Sequence, residues 1–206
     1  MTHQFDINQG GLPLGKAKKV LIMLHGRGAT ASGILDLAPH LNVGDYSLLA
    51  PQATNQTWYP FSFLVPPQRN QPWLDNALEV VGHTVTLARD AGIAQENIYF
   101  LGFSQGACLA AEFMARNAIR YGGGVILSGG LIGDRIYGEN YQGDFGQSPI
   151  FIGCSDPDGH VPVERVQATT AQFKLHHADV TEKIYPNMGH TIIQDEIELA
   201  NRLIFK

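Results

Sequence analysis

The chain has 206 residues, of which 44% are hydrophobic and 16% are charged, values typical of a globular protein with a sizeable core. Its 14 basic and 19 acidic residues give a net charge of −5, and they form no basic run, which argues against nucleic-acid binding. We therefore expect one domain that spans residues 1–206.

The N-terminal residues Met-Thr-His-Gln-Phe-Asp lack the basic and apolar regions of a signal peptide. Apolar runs such as Val20 to Leu24 are too short to cross a bilayer. The two cysteines, Cys108 and Cys154, make neither a disulfide framework nor a zinc site, and we expect both to be buried thiols. These features predict a cytoplasmic protein without stable membrane insertion. They leave the oligomeric state open, a homodimer included.

Short apolar runs bounded by Gly, Pro or Asn predict buried strands. In chain order they are Lys19–Leu24, Tyr46–Ala50, Ile98–Phe103, Gly124–Leu127, Pro149–Cys154 and Val180–Tyr185. A further antiparallel edge strand is predicted at Phe5–Asn8.

Longer amphipathic segments lie between these strands. Their apolar residues recur at spacings of three and four, which predicts helices at Asp75–Asp90, Gln105–Asn117, Pro162–His176 and Thr191–Ile204, with a weaker one after Ala31. Strands that alternate with helices predict an α/β fold, in which a mainly parallel sheet carries helices on both faces.

Two long stretches, Gln52–Trp73 and Leu131–Ser148, fit neither pattern, and loops of this length are usually functional or mobile. The first begins at the carboxyl end of a predicted strand, where open α/β sheets form their binding crevice. Its apolar side chains are candidates for a substrate pocket, although packing is the commoner role of buried aromatics. The candidates are Trp58, Tyr59, Phe63 and Trp73, together with Phe61, Leu64 and Val65.

The segment Gly102–Gly106 matches the pattern G-x-S-x-G between a predicted strand and a predicted helix. In that context the serine occupies a sharp turn that aims its hydroxyl out of the sheet, and glycines are needed where other side chains would clash. The beginning of the helix also supplies free N–H groups. Ser104 is therefore the predicted nucleophile.

A serine hydroxyl needs a base and a carboxylate that orients the base. His190 lies between the last predicted strand and the last helix, at the expected edge of the sheet. The carboxylate should follow the strand Pro149–Cys154, where both Asp156 and Asp158 occur, and spacing alone does not choose between them.

The oxyanion of an acyl-transfer reaction needs two hydrogen-bond donors. One should be the backbone N–H of Gln105, and we assign the other to the N–H of Arg27 in the loop after the first buried strand. The Arg27 side chain is expected to be solvated. His25, His83 and His160 lack a second ligand at metal spacing, so we expect no metal and no cofactor.

These segments together resemble the carboxylesterase/phospholipase branch of the α/β-hydrolases, which includes acyl-protein thioesterases. The matching segments are residues 24–28 (LHGRG), 50–52 (APQ), 102–107 (GFSQGA), 158–162 (DGHVP) and 188–190 (MGH). The resemblance selects Asp158, since the family carboxylate lies in an Asp-Pro-x-Val-Pro type motif, in which Gly159 here replaces the usual proline. It supports Arg27 and Gln105 as donors, and it implies a hydrolase without a cap domain.

The prediction from sequence is thus a serine carboxylesterase that hydrolyses carboxylic esters, with thioesters or lysophospholipids as further options, through an acyl-enzyme on Ser104. We expect small neutral esters to react best. The alternatives are a non-catalytic binding protein on the same fold and a transacylase that uses the same acyl-enzyme.

Overall fold

Residues 3–206, which the computed structural model describes, form one seven-stranded sheet with five α-helices. The strands are β1 (Ile7–Gly11), β2 (Lys19–Leu24), β3 (Tyr46–Pro51), β4 (Ile98–Phe103), β5 (Gly123–Leu127), β6 (Pro149–Asp156) and β7 (Asp179–Pro186). The helices are α1 (Ala31–Leu35), α2 (Trp73–Asp90), α3 (Gln105–Arg116), α4 (Val163–Leu175) and α5 (Gln194–Leu203).

The strand order of the sheet is β1-β3-β2-β4-β5-β6-β7. β1 pairs with β3 in antiparallel orientation, and all other neighbours are parallel. The chain adds β3 on one side of β2 and β4 on the other. The order therefore reverses at β2, which is where open α/β sheets bind their ligands beyond the carboxyl ends of the strands.

Two hydrophobic cores cover the two faces of the sheet. Alternate residues of β2 belong to different cores: Val20, Ile22 and Leu24 pack with α2, α3 and α4, whereas Leu21 and Met23 pack with α1 and α5. A strand buried on both faces reads as a continuous apolar run, which explains the sequence KVLIML of β2. The predicted mainly parallel sheet with helices on both faces is confirmed.

The predicted elements all occur, and most of them differ from the prediction at one or both ends. β2 and β4 have the predicted bounds, and the other buried strands are one or two residues longer. The edge strand predicted at Phe5–Asn8 lies instead at Ile7–Gly11. Its glycines carry no apolar pattern, and its register comes from backbone pairing with β3, which the sequence does not reveal. Helix α2 begins at Trp73 rather than Asp75, and α5 begins at Gln194 rather than Thr191.

The two long segments remain largely without regular structure. Residues 52–72 contain two short 3-10 turns, and residues 131–148 contain one. Within the described residues, no helical cap domain is therefore inserted over the carboxyl edge of the sheet. The first segment runs directly into α2.

One acidic side chain of α5 is buried against the sheet. Glu196 is fully buried, and its Oε2 accepts the N–H of Ile193 at 3.1 Å. Its Oε1 has no hydrogen-bond partner within residues 3–206 and lies against Gly153 of β6, where any side chain would collide with it. Burial raises the pKa of Glu196 to about 7, with the Ile193 hydrogen bond opposing this effect and Asp195 adding to it.

Replacing Glu196 by Gln should therefore change how stability depends on pH. Because the pKa of this carboxyl is higher in the folded than in the unfolded chain, its contribution to stability is lost as the pH rises through the interval from about 4.5 to about 7. The loss attributable to this group is up to about 3 kcal/mol. Chemical unfolding at pH 5 and pH 8 measures it, and the decline should be smaller in Glu196→Gln.

Glu198→Gln is the matched control, since Glu198 is an exposed residue of the same helix. It should retain the pH dependence of the wild type. An equally steep decline in Glu196→Gln and in the wild type would show that Glu196 does not titrate in this interval.

Candidate active site

Ser104 lies in a tight turn between β4 and α3. Its backbone has φ 54° and ψ −118°, a conformation that non-glycine residues rarely adopt and that costs of order 1–3 kcal/mol. The turn is held on both sides, because the Ser104 N–H donates to the carbonyl of Leu127 at 2.9 Å and the Ser104 carbonyl accepts the N–H of Cys108 at 3.0 Å. The neighbouring strand and helix therefore maintain the strained serine.

The two glycines of the turn are required by contacts between backbones. A Cβ at Gly102 would lie 2.6 Å from the N of Ala107 on α3. A Cβ at Gly106 would collide with the carbonyl groups of Leu24 and His25, at the end of β2. The turn is thus packed directly against the segment that leads to Arg27.

The structure brings the three predicted side chains together in a chain of hydrogen bonds. His190 Nε2 lies 2.8 Å from Ser104 Oγ, and His190 Nδ1 lies 2.8 Å from Asp158 Oδ2. The His190 side chain is 22% exposed, whereas the Asp158 side chain is fully buried. The exposed Asp156 ends β6, so Asp158 rather than Asp156 contacts the imidazole.

The charge of Asp158 determines the direction of these hydrogen bonds. Burial acts to raise the pKa of Asp158, but hydrogen bonds from His190 and from the N–H groups of His160 and Val161 outweigh it, so the pKa is lowered. An ionised carboxylate only accepts hydrogen bonds, so Nδ1 of His190 carries the proton. Nε2 is then free to accept the Ser104 hydroxyl proton.

The loop that carries His190 is fixed by neighbouring groups. Ser155 Oγ accepts the N–H of Gly189 at 2.9 Å and donates to the carbonyl of Pro157, which joins this loop to the Asp158 loop. The His190 ring also packs between Phe103, with ring centroids 5.1 Å apart, and His160, with centroids 4.8 Å apart. These supporting contacts could not be predicted from the sequence, because they join segments far apart in the chain.

The two predicted oxyanion donors are the residue that directly follows Ser104 and a residue of the loop after β2. Gln105 is the first residue of α3, and Arg27 follows the end of β2. Within residues 3–206, the backbone N–H groups of Arg27 and Gln105 form no hydrogen bond with a protein acceptor. Both therefore remain able to bind a ligand oxygen.

A cavity of about 380 Å³ opens beside Ser104. Besides Ser104 and His190, it is lined by Arg27, Tyr59, Pro60, Phe61, Ser62, Phe63, Gln105, Cys108, His160 and Val161. Of the predicted substrate-binding residues, Tyr59 and Phe63 thus line the cavity, and so does Phe61. His160 and Val161 were not predicted to line it, although they belong to the segment that carries Asp158.

Trp58 and Trp73 do not line the cavity, which corrects the prediction for both. Trp58 is fully buried and hydrogen-bonded, with its indole N–H donating to the carbonyl of His25 at 2.9 Å. Trp73 begins α2 and packs beside His3, with ring centroids 5.1 Å apart. Both indoles therefore serve packing, the commoner role of buried aromatic side chains.

Several residues that the sequence left without a role are structural. His25 is fully buried, its Nε2 accepts the N–H of Ala53 at 3.2 Å, and its Nδ1 donates to the carbonyl of Gly26 at 2.8 Å. Cys108 and Cys154 are buried free thiols, and burial raises the pKa of each to about 12. Thiols this hard to ionise are poor nucleophiles.

A sequence model of the Phospholipase/Carboxylesterase family matches residues 12–206 of the chain. The chain belongs to this family of α/β-hydrolases. The predicted fold class and family are therefore confirmed, and so is the prediction of an enzyme that hydrolyses ester bonds.

Individual relatives agree with this assignment. Acyl-protein thioesterase 1 of Saccharomyces cerevisiae is 30% identical over 211 aligned positions, which cover 88% of this chain and 89% of the yeast protein. A crystal structure of a phospholipase/carboxylesterase from Dyadobacter fermentans is 48% identical, covers 100% of this chain and 99% of its own, and superposes with a TM-score of 0.99. A Bacillus cereus carboxylesterase, 19% identical with a TM-score of 0.77 over 95% of this chain and 91% of its own, shares the fold.

Within residues 3–206, none of the helices has both the length and the apolar composition needed to cross a membrane. The longest, α2, has 18 residues and carries several charged side chains.

Replacing Asp158 by Asn should reduce kcat by orders of magnitude. The Asn amide can present N–H donors to His190 Nδ1, which favours the tautomer with the proton on Nε2 and leaves no acceptor for the Ser104 proton. In the best-studied triad the corresponding change costs about 10⁴-fold. Steady-state kinetics on a chromogenic ester measures the effect.

Asp156→Asn is the matched control, because it makes the same chemical change on an exposed side chain two residues away. Its kcat should stay near that of the wild type. If Asp156→Asn were the inactive variant and Asp158→Asn the active one, the assignment of the carboxylate would be reversed.

Proposed function

We propose that the protein is a serine carboxylesterase that works through an acyl-enzyme on Ser104. The observation that carries this proposal is the chain of hydrogen bonds from Asp158 to His190 to Ser104, each 2.8 Å long, at a strained turn beside a cavity. Such a chain provides a nucleophile, a base and an orienting carboxylate in hydrogen-bonding geometry.

The reaction begins when Ser104 Oγ attacks the ester carbonyl carbon while His190 Nε2 accepts the hydroxyl proton. The N–H groups of Arg27 and Gln105 hold the negative oxygen of the tetrahedral intermediate. The bond to the leaving alcohol then breaks, and His190 returns its proton to that oxygen. Water attacks the acyl-enzyme in the same way, which releases the acid and restores Ser104. Asp158 remains ionised and stabilises the imidazolium throughout.

The cavity supports an ester with an apolar portion as substrate. Tyr59, Phe61, Phe63 and Val161 contribute its apolar lining. Arg27 also borders the cavity, but its guanidinium donates to three backbone carbonyls. These features support small neutral esters as the preferred substrates, and the yeast relative makes thioesters a second class to test. We further propose that residues 1–206 act as one domain in the cytoplasm.

The decisive experiment measures hydrolysis of p-nitrophenyl acetate, butyrate and octanoate by the wild type and by Ser104→Ala. Turnover should fall to the background rate in the variant, because no other group beside the cavity replaces the activated hydroxyl. Circular dichroism checks that both proteins are folded. Unchanged turnover in folded Ser104→Ala would contradict the proposed nucleophile, and an inactive folded wild type would favour a binding protein.

A further inference from the structure

Residues 58–61, here called the wall segment, include three residues that border the cavity, Tyr59, Pro60 and Phe61. The segment is held by the side chains of Arg27 and Gln105, the two proposed oxyanion donors. The Arg27 guanidinium binds three successive carbonyls of this segment: its Nη1 donates to Pro60 at 3.0 Å, and its Nη2 donates to Tyr59 and to Phe61, each at 2.9 Å. The planar, fork-shaped guanidinium can place several donors at fixed angles, which a lysine ammonium cannot do.

Other side chains anchor the same segment independently of Arg27. The buried Gln105 amide accepts the N–H of Trp58 at 2.9 Å and donates to the Tyr59 carbonyl at 2.8 Å. Asn70, also buried, accepts the N–H of Phe61 at 2.8 Å. The wall segment should therefore stay folded when the Arg27 side chain is changed, because these buried anchors remain.

Arg27 thus joins two parts of the site through one residue. Its backbone N–H lies in the loop that supplies the oxyanion donor, while its side chain reaches 32–34 residues further along the chain to the cavity wall. Because these hydrogen bonds hold the wall segment in one conformation, substrate binding loses no free energy in ordering it. Such preorganisation increases the affinity for the substrate.

We propose that Arg27 is a specificity-determining positioning residue, whose guanidinium fixes the wall segment relative to Ser104 and so sets the affinity for the part of the ester in the cavity. This inference rests on the proposed esterase function. The side chain acts through the wall segment and takes no part in proton transfer or in holding the oxyanion. Its loss should therefore weaken ground-state and transition-state binding alike, which raises KM and leaves kcat nearly unchanged.

Arg27→Met tests this proposal, because it keeps the backbone N–H and the apolar stem while it removes every side-chain donor. We expect KM for p-nitrophenyl butyrate to rise about tenfold, the equivalent of roughly one charge-assisted hydrogen bond, with kcat changed less than about threefold. Arg27→Lys keeps the charge but reaches fewer carbonyls, so its KM should be intermediate.

Arg69→Met is the matched control. The Arg69 guanidinium stacks 4.8 Å from the ring centroid of Phe61, so this variant removes the same charge beside the same segment without removing a hydrogen bond to it. Its KM should stay within about twofold of the wild type. Equal increases in Arg69→Met and Arg27→Met would assign the effect to charge alone and overturn the proposal.

Hydrogen–deuterium exchange of the peptide that contains residues 56–64 gives a second readout that does not depend on activity. Exchange should be faster in Arg27→Met than in the wild type and unchanged in Arg69→Met. An unchanged KM, unchanged exchange, or a fall in kcat at constant KM would each overturn the proposal. Because the wild type is assayed in parallel, failure of the esterase proposal would be seen separately, as inactivity of the wild type.

Discussion

The contact on which the site depends is the close approach of Gly106 to the end of β2. No side chain fits at this position, because a Cβ would collide with the carbonyls of Leu24 and His25. The contact holds the first turn of α3 against the loop that leads to Arg27. As a result, the Ser104 turn after β4 and the Arg27 loop after β2 meet where the strand order reverses.

The rest of the site is assembled by loops that the sheet holds in place. β6 and β7 run parallel side by side, so the loops that follow them carry Asp158 and His190 to the same edge. Ser155 joins these two loops through its hydroxyl. The strained backbone of Ser104 therefore lies between rigid supports on both sides, an arrangement that supports the proposed role of its hydroxyl as the attacking group.

The sheet could be predicted from the sequence, and residues for a site could be proposed from it, because both depend on local patterns. β2 and β4 are buried on both faces and read as continuous apolar runs, and the G-x-S-x-G turn needs its glycines for local steric reasons. Side-chain direction was not predictable. Aromatic content alone could not separate Phe63, which borders the cavity, from Trp58, which is buried in the core. The sequence likewise does not reveal that the Arg27 guanidinium binds backbone carbonyls more than 30 residues away.

The most direct test of the account is active-site labelling with a fluorophosphonate, which reacts covalently with activated serines. After digestion, mass spectrometry should find the label on the peptide that contains Ser104 in the wild type, with much slower labelling in His190→Ala, because the hydroxyl then lacks its base. Labelling of another residue, or equally fast labelling of Ser104 without His190, would contradict the proposal that the Asp158–His190–Ser104 chain activates the hydroxyl of Ser104.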